Sequence, residues 1–445
     1  MTDYDVIVIG SGIAGTLAAI NAAKTKKVAV VRKGYGATAL SSGAFDIASR
    51  AGKRGRPFKG FVNMTEAIGN ILENEQYHPY SLLSMAFSGD RFNEFTSMMK
   101  TIGDQFFNEL ASAGVRYEGS WENNMIIPNQ HGTFKVTSFC QSSMTSGDLA
   151  KLMGRSVLFL GFEKTAIHNK TRAEFLSSIL SKYGFVSFKN ISYTNLNLHA
   201  HGIKCNEHDF ISLAAMMDNP EQAKKIFSII KQALDAMEYD HAFLPPIMGI
   251  SNYGEVTKMF ADCFGGRVSE FLSPPSSAPG LRLQYALDKL LVRHGVKIID
   301  GQVISDNPSD TIKTITLSRK DGSSASLSAD SFVLATGKFI TGGIANTKAW
   351  QEAVFGLPVF IGAQPVKDAF PMGYLTDDPF DEQMLFSIGV KTDGSLRPVD
   401  ADNRAVYKNL YAAGSVLSGY NYIYDKTGMG TAMITGAKAG IFSAG

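Results

Sequence analysis

The start of the chain carries apolar side chains in the patterns expected for a strand, a helix and a second strand. Residues 4–10 are nearly all apolar, residues 13–24 carry small and apolar side chains at helical spacing, and Val28–Val31 form another apolar run. This order predicts a βαβ unit. Strand-like runs recur at 331–337 and 409–414, so we expect these distant segments to join the same sheet.

The middle of the chain predicts an inserted region. Apolar side chains at helical spacing between residues 92 and 110 indicate a long amphipathic helix. From about 155 to 275, apolar runs alternate with polar, helix-like stretches, which is typical of an α/β lobe. The proline-rich stretch 273–280 interrupts helix and strand alike and predicts the return from the insertion. A turn at 320–322 predicts a hairpin between 311–318 and 323–328.

These patterns predict an α/β protein with a discontinuous Rossmann-like domain. Residues 1–56 and 280–445 form that nucleotide-binding domain, and residues 57–279 form a large inserted helical and α/β cap region. A chain of 445 residues is long for a single core, in agreement with two or more lobes.

Charge and cysteine content narrow the classes of function. The formal net charge is +2, with no basic stripe, so we expect no nucleic-acid partner. Cys140, Cys205 and Cys263 are too far apart in sequence to suggest a zinc or iron–sulfur site. The chain begins without a basic signal region and has no apolar stretch of about 18 residues, so we expect a cytoplasmic protein.

The sequence GSGIAG lies between the first predicted strand and helix, and it predicts a phosphate-binding turn. Glycines at this spacing let backbone N–H groups at a helix N-terminus approach an anion. The candidate cofactor-binding residues here are Gly10, Gly12, Ala14 and Gly15.

The end of the second predicted strand departs from the usual dinucleotide pattern. An Asp or Glu is expected there to bind the adenosine ribose, whereas this chain has Arg32 and Lys33. The two basic residues favour either NADP, whose extra phosphate suits arginine, or a ligand such as FMN that has no adenosine end. A basic surface turn is the alternative without a ligand.

The C-terminal segment predicts a second helix N-terminus at the ligand. A strand ends at Gly414 and Ser415, and after a loop Gly428, Gly430 and Thr431 open an apolar helix. Two such N-termini suit a flavin, because one faces its phosphate or ribityl chain and the other faces the pyrimidine end of the ring, where negative charge gathers on reduction.

Several motifs carry a family resemblance. GSGIAG, the segment from GVKIID to FVLATGKF, and the ending NLYAAGS resemble two-domain flavoproteins of the fumarate reductase and succinate dehydrogenase type. HPYSLL, SSGAFD, PPSSAPGLRLQ, ATGKFITGG, GVKTDGSLRP and NLYAAGSVLSGYNYI, in this order, resemble the B-subunit family of anaerobic glycerol-3-phosphate dehydrogenases. The resemblance extends from end to end of the chain.

The resemblance implies an FMN-binding redox subunit, with FAD as the alternative because the βαβ turn is typical of dinucleotide sites. It implies a catalytic FAD subunit and an iron–sulfur membrane-anchor subunit as partners, without direct membrane insertion of this chain. The complex would oxidise sn-glycerol 3-phosphate to dihydroxyacetone phosphate and pass electrons toward quinone. The chain would then lie in the cytoplasm, peripherally on the inner face of the membrane.

The same resemblance suggests further site residues. Ser41, Ser42 and Gly43 would bring small side chains against the isoalloxazine ring, and Gly337 would lie near the pyrophosphate or ribityl side. Arg282 and Arg397 are candidates for substrate chemistry, with ion pairs at the surface as the alternative. We expect the isolated histidines, His78, His131 and His168, to be structural.

Two other functions remain open from the sequence alone. Arg32 and Lys33 favour a stand-alone flavin- or NADP-dependent oxidoreductase of another small molecule. A scaffold that has lost its cofactor is the third hypothesis. The stretch around Tyr420, Tyr422 and Tyr424 lacks the His-Gly-Ala-Asn-Arg type of motif found in fumarate reductases, which argues against dicarboxylate chemistry. These tyrosines alternate as on a strand.

Overall fold

The chain divides into two units. The computed structural model describes residues 2–51, 60–163, 169–184, 187–204, 209–305, 309–378 and 381–445. Unit 1 comprises Met1–Ala37, Asp46–Glu109 and Leu287–Gly445, and unit 2 comprises Thr38–Phe45 and Leu110–Ala286. Unit 1 thus includes a segment that the sequence assigned to the insertion. The predicted boundary at residue 56, together with His168 and Cys205, lies outside the described residues, and the predicted domain limits stay a prediction.

The described residues form eleven α-helices and twenty-one β-strands. The helices are α1 (Ile13–Ala22), α2 (Met64–Asn74), α3 (Pro79–Ser84), α4 (Arg91–Ser112), α5 (Asn169–Tyr183), α6 (Phe210–Met217), α7 (Pro220–Asp235), α8 (Tyr253–Phe264), α9 (Ala278–Arg293), α10 (Tyr422–Asp425) and α11 (Gly428–Ala444). The strands are β1 (Tyr4–Ile9), β2 (Val28–Arg32), β3 (Ala44–Phe45), β4 (Tyr117–Gly119), β5 (Met125–Pro128), β6 (Phe134–Thr137), β7 (Phe139–Gln141), β8 (Ser156–Phe162), β9 (Asn190–Leu196), β10 (His241–Leu244), β11 (Val268–Glu270), β12 (Lys297–Asp300), β13 (Gln302–Ile304), β14 (Thr314–Ser318), β15 (Ser324–Leu334), β16 (Ile344–Asn346), β17 (Trp350–Glu352), β18 (Val359–Ile361), β19 (Gln364–Pro365), β20 (Gly389–Val390) and β21 (Leu410–Ala412).

The main sheet of unit 1 is built around the first predicted strand. Its order is β12-β2-β1-β15-β14-β13, and β21 pairs with β15. Strands β12, β2, β1, β15 and β21 pair in parallel, whereas β14 pairs antiparallel with the first half of β15. The predicted union of the N-terminal and C-terminal strands in one sheet is therefore confirmed, as is the predicted hairpin. The central residues of β1, Val6, Ile7 and Val8, are fully buried, as expected for a strand covered on both faces.

Helices α1 and α11 pack against each other through backbone contacts. A Cβ atom added to Gly436 would lie 2.4 Å from the carbonyl oxygen of Ala14, and one added to Gly440 would lie 2.2 Å from that of Ala18. Both contact positions advance along the two chains in the same direction, so the helices run parallel. Only glycine on α11 allows this approach.

Unit 2 contains a second parallel sheet, of order β11-β10-β8-β9. Its core includes Phe159, Phe243 and Phe271, whose ring centroids lie 5.3–5.4 Å apart. The predicted alternation of apolar runs and helices between residues 155 and 275 is confirmed by this α/β arrangement. No helix among the described residues is long and apolar enough to cross a membrane.

Three segments test local predictions from the sequence. The long amphipathic helix is confirmed as α4, whose Phe95, Phe106 and Leu110 are buried. Helix α9 begins inside the proline-rich stretch, because a proline in the first turn lacks only an N–H that would have no partner within the helix. The strand suggested by the alternating tyrosines at 420–424 is wrong. Helix α10 forms there because the Asn421 side chain accepts hydrogen bonds from the N–H groups of residues 423 and 424.

Replacing Gly436 or Gly440 by alanine tests the packing of α1 on α11. Helix propensity alone predicts that each change stabilises the fold by roughly 1 kcal/mol. The contacts at 2.4 and 2.2 Å predict the opposite sign, a loss of about 1–3 kcal/mol, because the helices must move apart. The thermal unfolding midpoint should fall for both variants. The matched control is Gly69→Ala in α2, where the new Cβ meets only Phe92 at 3.7 Å, and its midpoint should not fall. A rise in the midpoint for Gly436→Ala would contradict the packing described here.

Candidate functional site

The carboxyl ends of the parallel strands in unit 1 meet at one edge of the sheet. Ile9 of β1 is in register with Leu334 of β15, which is in register with Ala412 of β21. The turns that follow these strands therefore begin at the same level. Ligands of open α/β sheets bind at this edge. The structure brings three predicted cofactor-binding glycines to it: Gly10, Gly337 and Gly414.

The turn after β1 is held by close backbone approaches. Gly10 has φ +112°, and a Cβ atom there would lie 2.2 Å from the carbonyl oxygen of Ala335. A Cβ atom on Gly15 would lie 1.8 Å from the carbonyl oxygen of Gly10. These two glycines therefore shape the turn, and Gly12 forms the N-cap of α1.

The C-terminal strand is tied to both helices. Gly414 has φ +79°, and a Cβ atom there would lie 2.7 Å from Cβ of Ala14 in α1. The Gly414 N–H donates a hydrogen bond of 2.9 Å to the hydroxyl of Thr435 in α11. Ser415 follows in a short 3-10 helix and is partly exposed. Residues 14 and 414, far apart in sequence, are thus in direct contact.

The N-termini of α1 and α11 differ from those of other helices in this chain. Asn63, Asp209 and Asn219 cap α2, α6 and α7 with side-chain hydrogen bonds. The N-cap residues of α1 and α11, Gly12 and Thr427, make no side-chain cap hydrogen bond, and neither helix has an acidic residue in its first turn. Each N-terminus therefore keeps a positive partial charge that favours an anionic or electron-rich ligand.

The two N-termini point in the same direction but end at different levels. Gly436 and Ala14 are in contact, and Gly428 precedes Gly436 by eight residues whereas Ile13 precedes Ala14 by one. At 1.5 Å per residue, the N-terminus of α11 projects about 10 Å further. An elongated ligand with a phosphate group at one level and an electron-rich ring at the other matches this offset.

Buried aromatic side chains support the N-terminus of α11. The Gly430 N–H donates to the carbonyl oxygen of Asp46 at 2.9 Å, and a Cβ atom on Gly430 would lie 2.1 Å from the Tyr80 hydroxyl oxygen. That hydroxyl donates to the carbonyl oxygen of Ile47 at 2.8 Å. Burial raises the pKa of Tyr80 well above its usual value, so the hydroxyl stays protonated. Packing of Tyr80 thus requires glycine at position 430.

His78 explains why Thr427 does not cap α11. The Nδ1 atom of His78 accepts a hydrogen bond from the Tyr80 N–H at 3.0 Å. The proton of a neutral ring is therefore on Nε2, which donates to the Thr427 hydroxyl at 3.2 Å. The sequence prediction of a structural role for His78 agrees with its complete burial. Its contact with the N-terminus of α11 was missed, although the HPYSLL motif already singled out this segment.

The site contains a polar atom that suits a bound flavin. The Oγ1 atom of Thr336, just after β15, is buried without a hydrogen-bond partner in the described part of the chain. The next residue, Gly337, has φ +78°. A polar ligand at this edge of the sheet would satisfy the Thr336 hydroxyl, since buried polar groups are usually hydrogen-bonded. This atom and the two uncapped helices fit the phosphate and polar ring edge of a flavin.

The basic residues after β2 do not have the positions that the NADP hypothesis predicts. The Arg32 guanidinium lies 2.8 Å from the Asp288 carboxylate and 3.1 Å from that of Asp300, and Lys33 is exposed. Both acids lie more than 250 residues away in sequence. Arg32 therefore has a structural explanation that requires no additional phosphate.

The two arginines considered for substrate chemistry also have carboxylate partners. Arg282 in unit 2 is fully buried and makes two hydrogen bonds, of 2.7 and 2.9 Å, to Glu270. Its Nε atom donates to the carbonyl oxygen of Gly249 at 2.7 Å. Arg397 in unit 1 pairs with Asp393 at 2.9 Å and is 42% exposed. Arg282 thus forms an interior ion pair rather than one at the surface, and Arg397 forms a surface pair.

The predicted Ser/Gly loop belongs to unit 2. The carbonyl oxygen of Ser41 accepts a hydrogen bond from the Ser277 hydroxyl at 2.5 Å, and that of Ser42 accepts one from the Ser273 N–H at 3.0 Å. Gly43 has φ +97°. These contacts explain the small residues locally, and the contact of Ser41, Ser42 and Gly43 with an isoalloxazine ring stays a prediction.

Comparison with known proteins defines the class. The family model described as "FAD binding domain" matches residues 5–431. The chain therefore belongs to the FAD-binding domain family. The prediction of a flavin agrees with this result, whereas the preference for FMN over FAD is not supported by it.

The relatives are more specific. A probable B subunit of the anaerobic glycerol-3-phosphate dehydrogenase of Halobacterium salinarum is 28% identical over 452 residues, covering 99% of this chain and 98% of the relative. The B subunit of the anaerobic glycerol-3-phosphate dehydrogenase of Vibrio vulnificus is 25% identical, covering 99% and 96%. That of Pectobacterium atrosepticum is 25% identical, covering 97% and 96%. These similarities confirm the resemblance stated from the sequence.

Placing an acid at the N-cap of α1 separates helix stability from ligand binding. Asp and Asn are equally good N-caps, so both Gly12→Asp and Gly12→Asn should leave the thermal midpoint of the flavin-free protein unchanged or higher. The negative charge of Asp opposes a phosphate at this N-terminus. We expect at least tenfold less bound flavin in Gly12→Asp than in Gly12→Asn, measured by absorbance of the purified proteins. Equal flavin content in the two variants would rule out a phosphate at the α1 N-terminus.

Proposed function

We propose that the chain is the flavin-containing redox subunit of an anaerobic glycerol-3-phosphate dehydrogenase. The observation that carries this proposal is the pair of uncapped, parallel helix N-termini at one edge of the unit 1 sheet. The relatives of that name, which match at least 97% of the chain, support the choice among flavoprotein functions.

The chemistry requires removal of two electrons and two protons from a secondary alcohol. The alcohol of sn-glycerol 3-phosphate becomes the ketone of dihydroxyacetone phosphate, and the electrons pass on toward quinone. A bound FAD supplies a two-electron acceptor. Residues of the Gly10–Gly15 turn would hold its phosphates, the Thr336 hydroxyl would donate or accept a hydrogen bond, and the α11 N-terminus would stabilise negative charge at the ring.

In this complex, the chain would transfer electrons rather than bind the substrate first. Arg282 and Arg397 are both paired with carboxylates, so neither side chain supports a phosphate clamp. We propose a catalytic FAD subunit and an iron–sulfur membrane-anchor subunit as partners, with this chain on the cytoplasmic face of the membrane. The word "subunit" in the names of the relatives supports a complex.

Anaerobic titration of the complex tests this function. The chain is co-expressed with its two partner subunits, and sn-glycerol 3-phosphate or NADPH is added under anaerobic conditions. We expect sn-glycerol 3-phosphate to bleach the flavin absorbance, because its two electrons reduce the flavin. Quinone should restore the absorbance, because it takes these electrons from the reduced flavin. NADPH should have no such effect.

The Gly12→Asp variant provides the control for the role of this chain. In a complex that still assembles, it should reduce electron transfer to quinone by at least tenfold relative to Gly12→Asn. Full quinone reduction by the Gly12→Asp complex would favour a scaffold, and bleaching by NADPH alone would favour a stand-alone oxidoreductase.

A further inference from the structure

Lys338, which directly follows Gly337, is a buried lysine at the edge of the sheet where the flavin site lies. The residue is 4% exposed. The Nζ atom donates a hydrogen bond of 2.7 Å to the carbonyl oxygen of Phe386. It also lies 5.5 Å from the ring centroid of Tyr420 and 5.9 Å from that of Tyr422. The ammonium group is thus held by a carbonyl and by two aromatic rings.

This degree of burial is unusual for the residue type. Lysine is rarely fully buried, and its long side chain normally allows the charge to reach water. Cation–π contacts with tyrosine offset part of the desolvation cost. A charge held at a fixed position away from water acts more strongly on its surroundings than one at the surface, because the effective dielectric constant is lower.

Lys338 is linked to one helix N-terminus through the chain and to the other through side-chain contacts. On one side, the residue lies three positions after Ala335, whose carbonyl oxygen contacts Gly10. On the other side, the Tyr420 ring packs edge-on against His78 at 5.5 Å, and His78 is hydrogen-bonded to Thr427, the N-cap of α11. Lys338 therefore lies within the segments that join the Gly10 turn to the N-terminus of α11.

The Tyr420 side chain adds a second polar group to this neighbourhood. It is fully buried, and its hydroxyl has no hydrogen-bond partner within the described ranges. A hydroxyl in this condition suits a ligand atom nearby. The arrangement of Lys338 and Tyr420 was not predicted from the sequence, because only the fold brings residues 338 and 420 together.

We propose that the positive charge of Lys338 raises the reduction potential of the bound flavin. Reduction adds two electrons and, at neutral pH, fewer than two protons to the ring, so the reduced form carries more negative charge than the oxidised form. The electrons come from sn-glycerol 3-phosphate, and the inference in this respect rests on the proposed function. A fixed positive charge beside the site stabilises the reduced form, and it acts in the same direction as the α11 N-terminus.

The test is a spectroelectrochemical titration of the FAD-loaded chain. Lys338→Met removes the charge, and the reduced-to-oxidised ratio at a given potential should fall at least tenfold, which equals about 30 mV for a two-electron couple. Lys338→Arg keeps the charge, so its reduction potential should differ from that of the wild type by less than a third of that shift.

Lys438→Met is the matched control. Lys438 also makes a cation–π contact, with the Phe442 ring at 5.1 Å, but it lies ten residues beyond Gly428 along α11, or about 15 Å. The potential of this variant should equal that of the wild type.

The outcomes separate the two proposals. A wild-type chain that binds no flavin contradicts the proposed function, whereas a flavin-loaded Lys338→Met protein at the wild-type potential overturns only the role of Lys338. Where Lys338→Met does not fold, Lys338→Gln provides the same test, since it is neutral and polar. Loss of flavin from both neutral variants, with retention in Lys338→Arg, would assign the charge to binding rather than to potential and would also overturn the inference.

Discussion

The backbone contact between α1 and α11 is the constraint on which the rest of the site depends. Gly436 and Gly440 of α11 lie against the carbonyl oxygens of Ala14 and Ala18 of α1. The contact makes the two helices parallel and fixes their offset along the axis. Both N-termini consequently point toward the same edge of the sheet, at levels about 10 Å apart. Without it, the glycine turn after β1 would not share an edge of the sheet with the N-terminus of α11.

The absence of N-caps on these helices has an energetic consequence. A capping side chain usually stabilises a helix by about 1 kcal/mol, and other helices in this chain use one. The N-cap residues of α1 and α11, Gly12 and Thr427, make no such hydrogen bond, so these two helices lack that contribution. Two buried cations have partners that the sequence did not reveal: the Arg282 guanidinium pairs with the Glu270 carboxylate, and the Lys338 ammonium contacts a carbonyl oxygen and aromatic rings.

Local patterns were sufficient to predict the elements that carry the candidate cofactor site, but not the long-range partners of individual side chains. The βαβ unit, the C-terminal strand and the helix that begins at Gly428 all follow from apolar periodicity and glycine placement. The partners of Arg32 could not be predicted, because Asp288 and Asp300 belong to segments more than 250 residues away. The strand expected at the tyrosines failed because the Asn421 side chain, a short-range signal that was overlooked, starts a helix. The burial of Lys338 depends on long-range packing alone.

The most direct test of a flavin held between the two helix N-termini is the identity and amount of the cofactor. The purified chain is incubated with FAD and desalted, and the cofactor is released with acid and identified by chromatography and mass measurement. One FAD per chain is the expected result, because one phosphate-binding turn and one ring-facing N-terminus form a single site. A chain that retains no flavin, or that retains FMN and rejects FAD, would contradict this account.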